Sequence, residues 1–198
     1  NSLTERGYGI AVDADGNAYV TGETSSSDFL VAGSNLIQPY LAGGDDAFVT
    51  KISSGGPGCS KAKPSIALLW PPKHYFVPIS IQGVTDSEGN PLTIRVDSMR
   101  QDEAVNAKGS GHTAPDGQGI GTSTAQVRAE RVGDQEMQGN GRVYHISFTA
   151  ENDQGGSCKG EVRVGIPYDQ GQGATPVDEG ALYDSTVVPT SYSKITLH

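Results

Sequence analysis

Between Gln126 and Ile166 the chain reads QVRAERV, GDQEMQGN, GRVYHISFTA, ENDQGGS, CKGEVRVGI: three strand-like runs parted by two polar turns. In the middle run Tyr144, Ile146, Phe148 and Ala150 share one face, and Val143, His145, Ser147 and Thr149 share the other. In the last run Val162, Val164 and Ile166 lie opposite Glu161 and Arg163. Side chains on a helix recur about every 3.6 residues, so an alternation of two kept up over these lengths belongs to strands with one buried face. Taken in order, the runs predict a β-meander with Cys158 at the start of its last strand. Arg128, Glu130, Arg131 and Arg142 interleave with the meander and read as cross-strand ion pairs.

The rest of the chain repeats this short period. With 198 residues there is room for one large or two small domains, and 27 glycines and 11 prolines punctuate the apolar runs. No apolar run is long enough for a membrane-spanning helix, and no apolar leader opens the chain, so the start at Asn1 reads as that of a processed or trimmed protein. The net charge is −9 and no Lys/Arg cluster is present, which argues against nucleic acid as a partner because its phosphates would be repelled. Such an acidic, Gly- and Asp-rich β protein fits an extracellular place, with Ca²⁺ as the candidate ion; solubility alone is the other reading. Cys59 and Cys158 lack metal-ligand spacing. A disulfide between them would tie the start of the second domain to one of its last strands, whereas two free thiols would point to a reducing compartment.

Residues 1–54 form the first expected domain. Strands near Gly7–Val12 and Asn17–Gly22 flank the turn Asp13–Asn17, and DDAFVTKIS supplies a third. Asp13, Asp15 and Asn17 open like an EF-hand loop, but the twelfth position is Thr24 rather than an acid, so a hairpin turn is the reading. The pattern GIAVDADGNAYVTGETSSSDF…GGDDAFVTKI resembles the bacterial SBBP repeat, a β-propeller blade of roughly 45 residues. The resemblance implies a blade over residues 7–52. There is one repeat here, and a single blade buries too little apolar surface to offset its ordering entropy. It must therefore pack on something else.

Residues 55–63 (GGPGCSKAK) read as a linker. From residue 64 to 168 about seven strands are expected, broken by Pro71-Pro72, where a strand crosses an edge or changes sheets. Trp70 is expected to anchor the core, with Val77, Ile79, Ile81, Leu92, Ile94 and Val96 pointing inward. Residues 100–123 read as a long polar loop, and residues 169–198 as an irregular tail with a terminal strand. The run LWPPKHYFVPISIQGVTDSEGNPL…GRVYHISFTAENDQGGSCKGEVRVGI resembles the Ig-like, cadherin- or HYR-like modules of bacterial surface and secreted proteins. The fold class that follows is all-β: a small blade-like antiparallel sheet plus an Ig-like β-sandwich. Cadherin-like modules bind Ca²⁺ through acidic loops between strands. By that resemblance Asp86, Glu88 and Asn90 in one loop, and Asp102, Glu103 and Asp116 in the long loop, are the candidate ligands; solvated turn residues are the alternative.

Catalysis has little support. His74, His112, His145 and His198 are scattered, no G-x-S-x-G or H-E-x-x-H occurs, and adjacent acids such as Asp102–Glu103 or Asp178–Glu179 point to opposite sides of an extended segment. The C-terminal run SYSKITLH puts Tyr192, Lys194, Thr196 and His198 on one face and Ser193, Ile195 and Leu197 on the other. Such a strand, with Tyr192, Ile195 and Leu197 as contacts, could add to the open sheet of another copy, and head-to-tail donation of that kind builds a filament. The expected protein is a non-enzymatic extracellular structural subunit of a self-assembling fibre. The alternative is an accessory carbohydrate- or protein-binding module of a larger secreted protein, with a glycan or cell-surface partner.

Overall fold

The computed structural model describes residues 4–14, 16–27, 29, 43–52, 55–133, 139–169 and 175–188. Among these every regular element is a β-strand, and the chain divides into two units, Asn1–Gly55 and Gly56–His198.

Unit 1 holds β1 (Glu5–Val12), β2 (Ala18–Thr24) and β3 (Asp46–Ile52), an antiparallel sheet in that order. The β1–β2 turn closes on Asp13. Its carboxylate accepts from the Asn17 backbone amide at 2.9 Å, from Asn17 Nδ2 at 2.9 Å and from the Tyr19 hydroxyl at 3.1 Å. Gly22 is fixed by space: a Cβ there would lie 2.0 Å from the Arg6 carbonyl and 2.6 Å from the Phe48 ring. A bulge at Tyr8 shifts the β1–β2 register, after which Ile10 pairs Val20 and Val12 pairs Ala18. Val20 in turn pairs Thr50, and Ala18 pairs Ile52. Ile10, Val12, Val20 and Ile52 thus share one face of the sheet.

Unit 2 is larger. Its strands are β4 (Pro57–Gly58), β5 (Lys63–Pro64), β6 (Phe76–Gln82), β7 (Thr85–Asp86), β8 (Leu92–Gln101), β9 (Gly117–Gln118), β10 (Thr124–Arg128), β11 (Arg142–Asn152), β12 (Ser157–Ile166) and β13 (Tyr183–Asp184). Two four-stranded sheets run in the orders β5-β6-β10-β9 and β12-β11-β8-β13, and β4 pairs β7. The inner faces of the two sheets share one core. Ile79, Ile81, Ala125 and Val127 come from the first; Val96, Met99, Tyr144, Ile146, Phe148, Ala150, Val162, Val164 and Ile166 come from the second. Burying such side chains contributes about 1.5–3 kcal/mol each, so this pairing of faces dominates the stability of the unit.

Alternation identified the inward residues of β6, β11 and β12 correctly, but the expected meander does not form. β11 pairs β12 on one side and β8 on the other, while β10 lies in the opposite sheet beside β6. A period of two says which face of a strand is buried, not which sheet the strand joins. Along β8 the phase changes. Val96 opposes Phe148 and Ser98 opposes Ser147, leaving Asp97 as the extra residue of a bulge. The inward set therefore runs Val96, Met99, Gln101 instead of continuing at even positions.

Trp70 does not anchor the core. It is 39% exposed, and Leu69 is buried in its place. Local pairing explains this: Leu69 donates its amide to the Gly165 carbonyl at 2.9 Å, and Leu68 bridges Gly165 in parallel. Ser65 still bonds to Ser80 on β6, so the chain changes sheets between Ser65 and Leu68, ahead of the proline pair. The stretch read as a linker carries β4 and Cys59, and Cys59 is joined to Cys158 across a sequence separation of 99.

Candidate functional site

Under one end of unit 2 lies a cluster of buried charges centred on Arg142, the first residue of β11. The Arg142 side chain is fully buried. Its Nε donates to Glu103 Oε2 at 2.9 Å, and Nη1 lies 2.8 Å from Asp116 Oδ2 and 3.2 Å from Glu130 Oε1. The Tyr144 hydroxyl, 3.1 Å from Nη1, donates onward to the Arg128 carbonyl at 2.9 Å. Gln101 Nε2 donates to Asp116 Oδ2 and to the Glu103 carbonyl, both at 2.8 Å. Arg128 stands 3.9 Å from both Asp116 and Glu130, and its guanidinium is held by the carbonyls of His74 and Pro115.

Three carboxylates thus face two guanidiniums out of water. Burial pushes the Asp116 carboxyl up to about 6, against the pull of Arg142 and Gln101 and with the Glu130 charge adding to the rise. Burial likewise raises Glu103, with Arg142 opposing. For Arg142 itself burial acts downward, but Tyr144, Asp116 and Glu103 outweigh it and hold the proton firmly. Glu130 also takes the Thr113 hydroxyl, and His74 Nδ1 stands 3.2 Å away at the solvent edge. Among the described residues Asp116 Oδ1, Gln101 Oε1, Arg142 Nη2 and Ser185 Oγ are buried without a hydrogen-bond partner. Chemically the cluster is a joint. It ties β8, β9, β10 and β11 to the long connection through groups already engaged with one another.

A second network lies on the outer face of β8, β11 and β12, where the register sets Arg100, His145 and Arg163 in one row. His145 Nδ1 is 2.9 Å from Glu161 and Nε2 is 2.9 Å from Asp178; Arg163 Nη1 is 2.9 Å from Asp178. Asp178 belongs to residues 175–188, which cross this row as a strap. Arg100 donates at 2.8 Å to the carbonyls of both Ala181 and Leu182. Burial acts to raise Glu161 and Asp178, but the hydrogen bonds from His145, with Arg163 and the Gly180 amide, hold both below the usual carboxylate range.

The six residues proposed for calcium fall in three places. Asp86 and Asn90 meet in a turn that Asn152 clasps from β11 at 2.9 Å, and Glu88 contributes its backbone amide there. Asp102 accepts from the Val143 amide at 2.9 Å and the Glu179 amide at 3.5 Å. Glu103 and Asp116 belong to Arg142. Among the described residues no three His, Cys, Asp or Glu side chains are grouped to hold a metal ion. Tyr192, Ile195 and Leu197 lie outside the described residues, as does Asp15. Of the interleaved charges, Arg142 and Glu130 do pair. Arg131 instead donates to the Tyr168 carbonyl at 2.8 Å and stacks over its ring at 4.3 Å. Sequence reasoning missed Gln101, Asp178 and the His145 row. The one available signal was an arginine opening a strand at the head of its apolar set Tyr144, Ile146, Phe148 and Ala150.

In unit 1 the apolar rungs stand open: Ile10 is 71% exposed, Val12 66% and Ile52 56%. All eight residues of β1 are exposed, and among the described residues β1 pairs on one side only. Residues 2–29 match the family model of the SBBP β-propeller repeat. No curated protein and no solved structure matches the chain.

Proposed function

We propose that this chain is a non-enzymatic structural subunit of an extracellular bacterial assembly, in which the blade of one copy is completed by strand addition from the next. The observation that carries the reading is β1: an edge strand exposed along its whole length, beside the rungs Ile10–Val20 and Val12–Ala18–Ile52. An open edge with an apolar face is a template for another strand. Unit 2 serves as the spacer, and we read it as Ig-like. In support, the orders β5-β6-β10-β9 and β12-β11-β8 repeat the A-B-E-D and G-F-C orders of an immunoglobulin constant-type sandwich. The disulfide is compatible with an oxidising, extracellular place.

Electron microscopy of the concentrated full chain tests the reading. Linear assemblies are expected, and Ile10→Lys with Val12→Lys should disperse them, because charges on an edge strand block pairing. Assemblies that persist in the double variant would overturn it. The match to a repeat family supports a second reading, an accessory binding module whose blade is completed by further blades of a larger secreted protein. It expects a chain that stays monomeric alone and binds a protein carrying the remaining repeats.

A further inference from the structure

We propose that unit 2 is a tension-bearing link whose disulfide keeps most of its fold off the load path. The proposal rests on the reading of the chain as a structural subunit pulled at its two ends. Cys59 lies close to the start of unit 2, and Cys158 is the second residue of β12. Force arriving from residue 56 therefore reaches Cys59, crosses the sulfur–sulfur bond and enters β12. The loop between the two cysteines, with a sequence separation of 99, holds β5 to β11 and lies off the covalent path of that force.

The strand that does carry force is already extended. A strand rises about 3.3 Å per residue and a fully stretched chain reaches at most about 3.6 Å. Pulling on β12 from Cys158 to Ile166 therefore gains almost no length, and so does almost no work against the β11–β12 ladder. The core hangs from this strand without being strained by it. Without the disulfide the same force would enter at β4 and β5 and strip the strands in turn.

Past Ile166 the load meets the strap, the yielding part. Its attachments are individually modest and spread over several strands. Val177 donates its amide to the Asn140 carbonyl at 3.1 Å, and Asp178 engages His145 and Arg163. Leu182 donates to the Gln101 carbonyl at 3.0 Å and Ser185 to the Met99 carbonyl at 3.1 Å, while the Ser185 carbonyl accepts from Asp116 and Gly117, both at 2.8 Å. Peeling residues 167–188 frees on the order of 75 Å of chain. The link therefore gives a little and then stops.

Single-molecule force spectroscopy on the full chain, held at both ends, tests this. Oxidised protein should show a unit 2 event of under about 100 Å, and reductant should lengthen the total by about 350 Å, the contour of the closed loop. Unit 1 should contribute the same event in both conditions. Thiol counting on the same sample confirms the bond is present, so a non-folding Cys59→Ser/Cys158→Ser variant is not needed. Oxidised protein that releases the full length, or reduced protein that gains none, would overturn the proposal. Failure of the chain to self-assemble would leave these curves unchanged, so the two readings fail separately.

Discussion

Arg142 gathers Glu103, Asp116 and Glu130, residues up to 39 positions away in sequence, around one buried guanidinium. Removing the shared cation leaves buried carboxylates uncompensated, so Arg142→Ala should cost about 3–5 kcal/mol in chemical denaturation. Asp116 adds a pH signature. Its carboxyl keeps a proton up to about 6 in the folded protein, whereas in the unfolded chain it loses it near the ordinary value of 3.8. The folded state binds the extra proton between those limits, so this group adds stability as pH falls through them and withdraws it as pH rises. The unfolding free energy of the unsubstituted protein should rise relative to that of Asp116→Asn from pH 6 to pH 4; a constant difference would remove Asp116 from the cluster's titration. The sequence announced Arg142 and Glu130 only as members of a set of four interleaved charges, with Arg128 and Arg131, open to cross-strand ion pairing. It offered Glu103 and Asp116 as candidate Ca²⁺ ligands and not as partners of Arg142, because their places depend on how a long loop folds back, and no local period records that.

Strand alternation made β6, β11 and β12 legible, since one buried face leaves a mark on every second residue. Sheet membership, the Asp97 bulge and the position of Trp70 were not legible, because each is decided by partners distant in sequence. Close packing of the strands can be tested at Gly160, where an added Cβ would come within 2.7 Å of the Phe148 ring on the neighbouring strand. Gly160→Ala should cost about 1–3 kcal/mol through forced displacement of that ring, measured by thermal or denaturant unfolding. The strap answers to pH with the opposite sign to Asp116. Glu161 and Asp178 are held below the ordinary carboxylate range, so their contribution is present above about pH 4 and is lost as acid protonates them. Amide protection factors in residues 178–185, taken relative to the intrinsic rate at each pH, should therefore fall at low pH and in Asp178→Ala, while the β11–β12 ladder stays protected.

At the scale of the molecule, two units divide the work proposed for the chain. The larger one closes its own core and staples it: Cys59–Cys158 closes a loop across a sequence separation of 99, worth about 4–5 kcal/mol in the chain-entropy model. The smaller one leaves Ile10, Val12 and Ile52 open beside β1, which among the described residues pairs on one side only, a surface that water opposes and a second strand would cover. The resemblance to a propeller repeat led to the expectation of such an open sheet, since a single blade would have too little to bury. Sedimentation velocity of the full chain across a wide concentration range tests the central claim most directly. The weight-average sedimentation coefficient should climb with concentration and fall back to that of a monomer in the Ile10→Lys, Val12→Lys variant. A single monomeric boundary at every concentration, the same in both proteins, would contradict it.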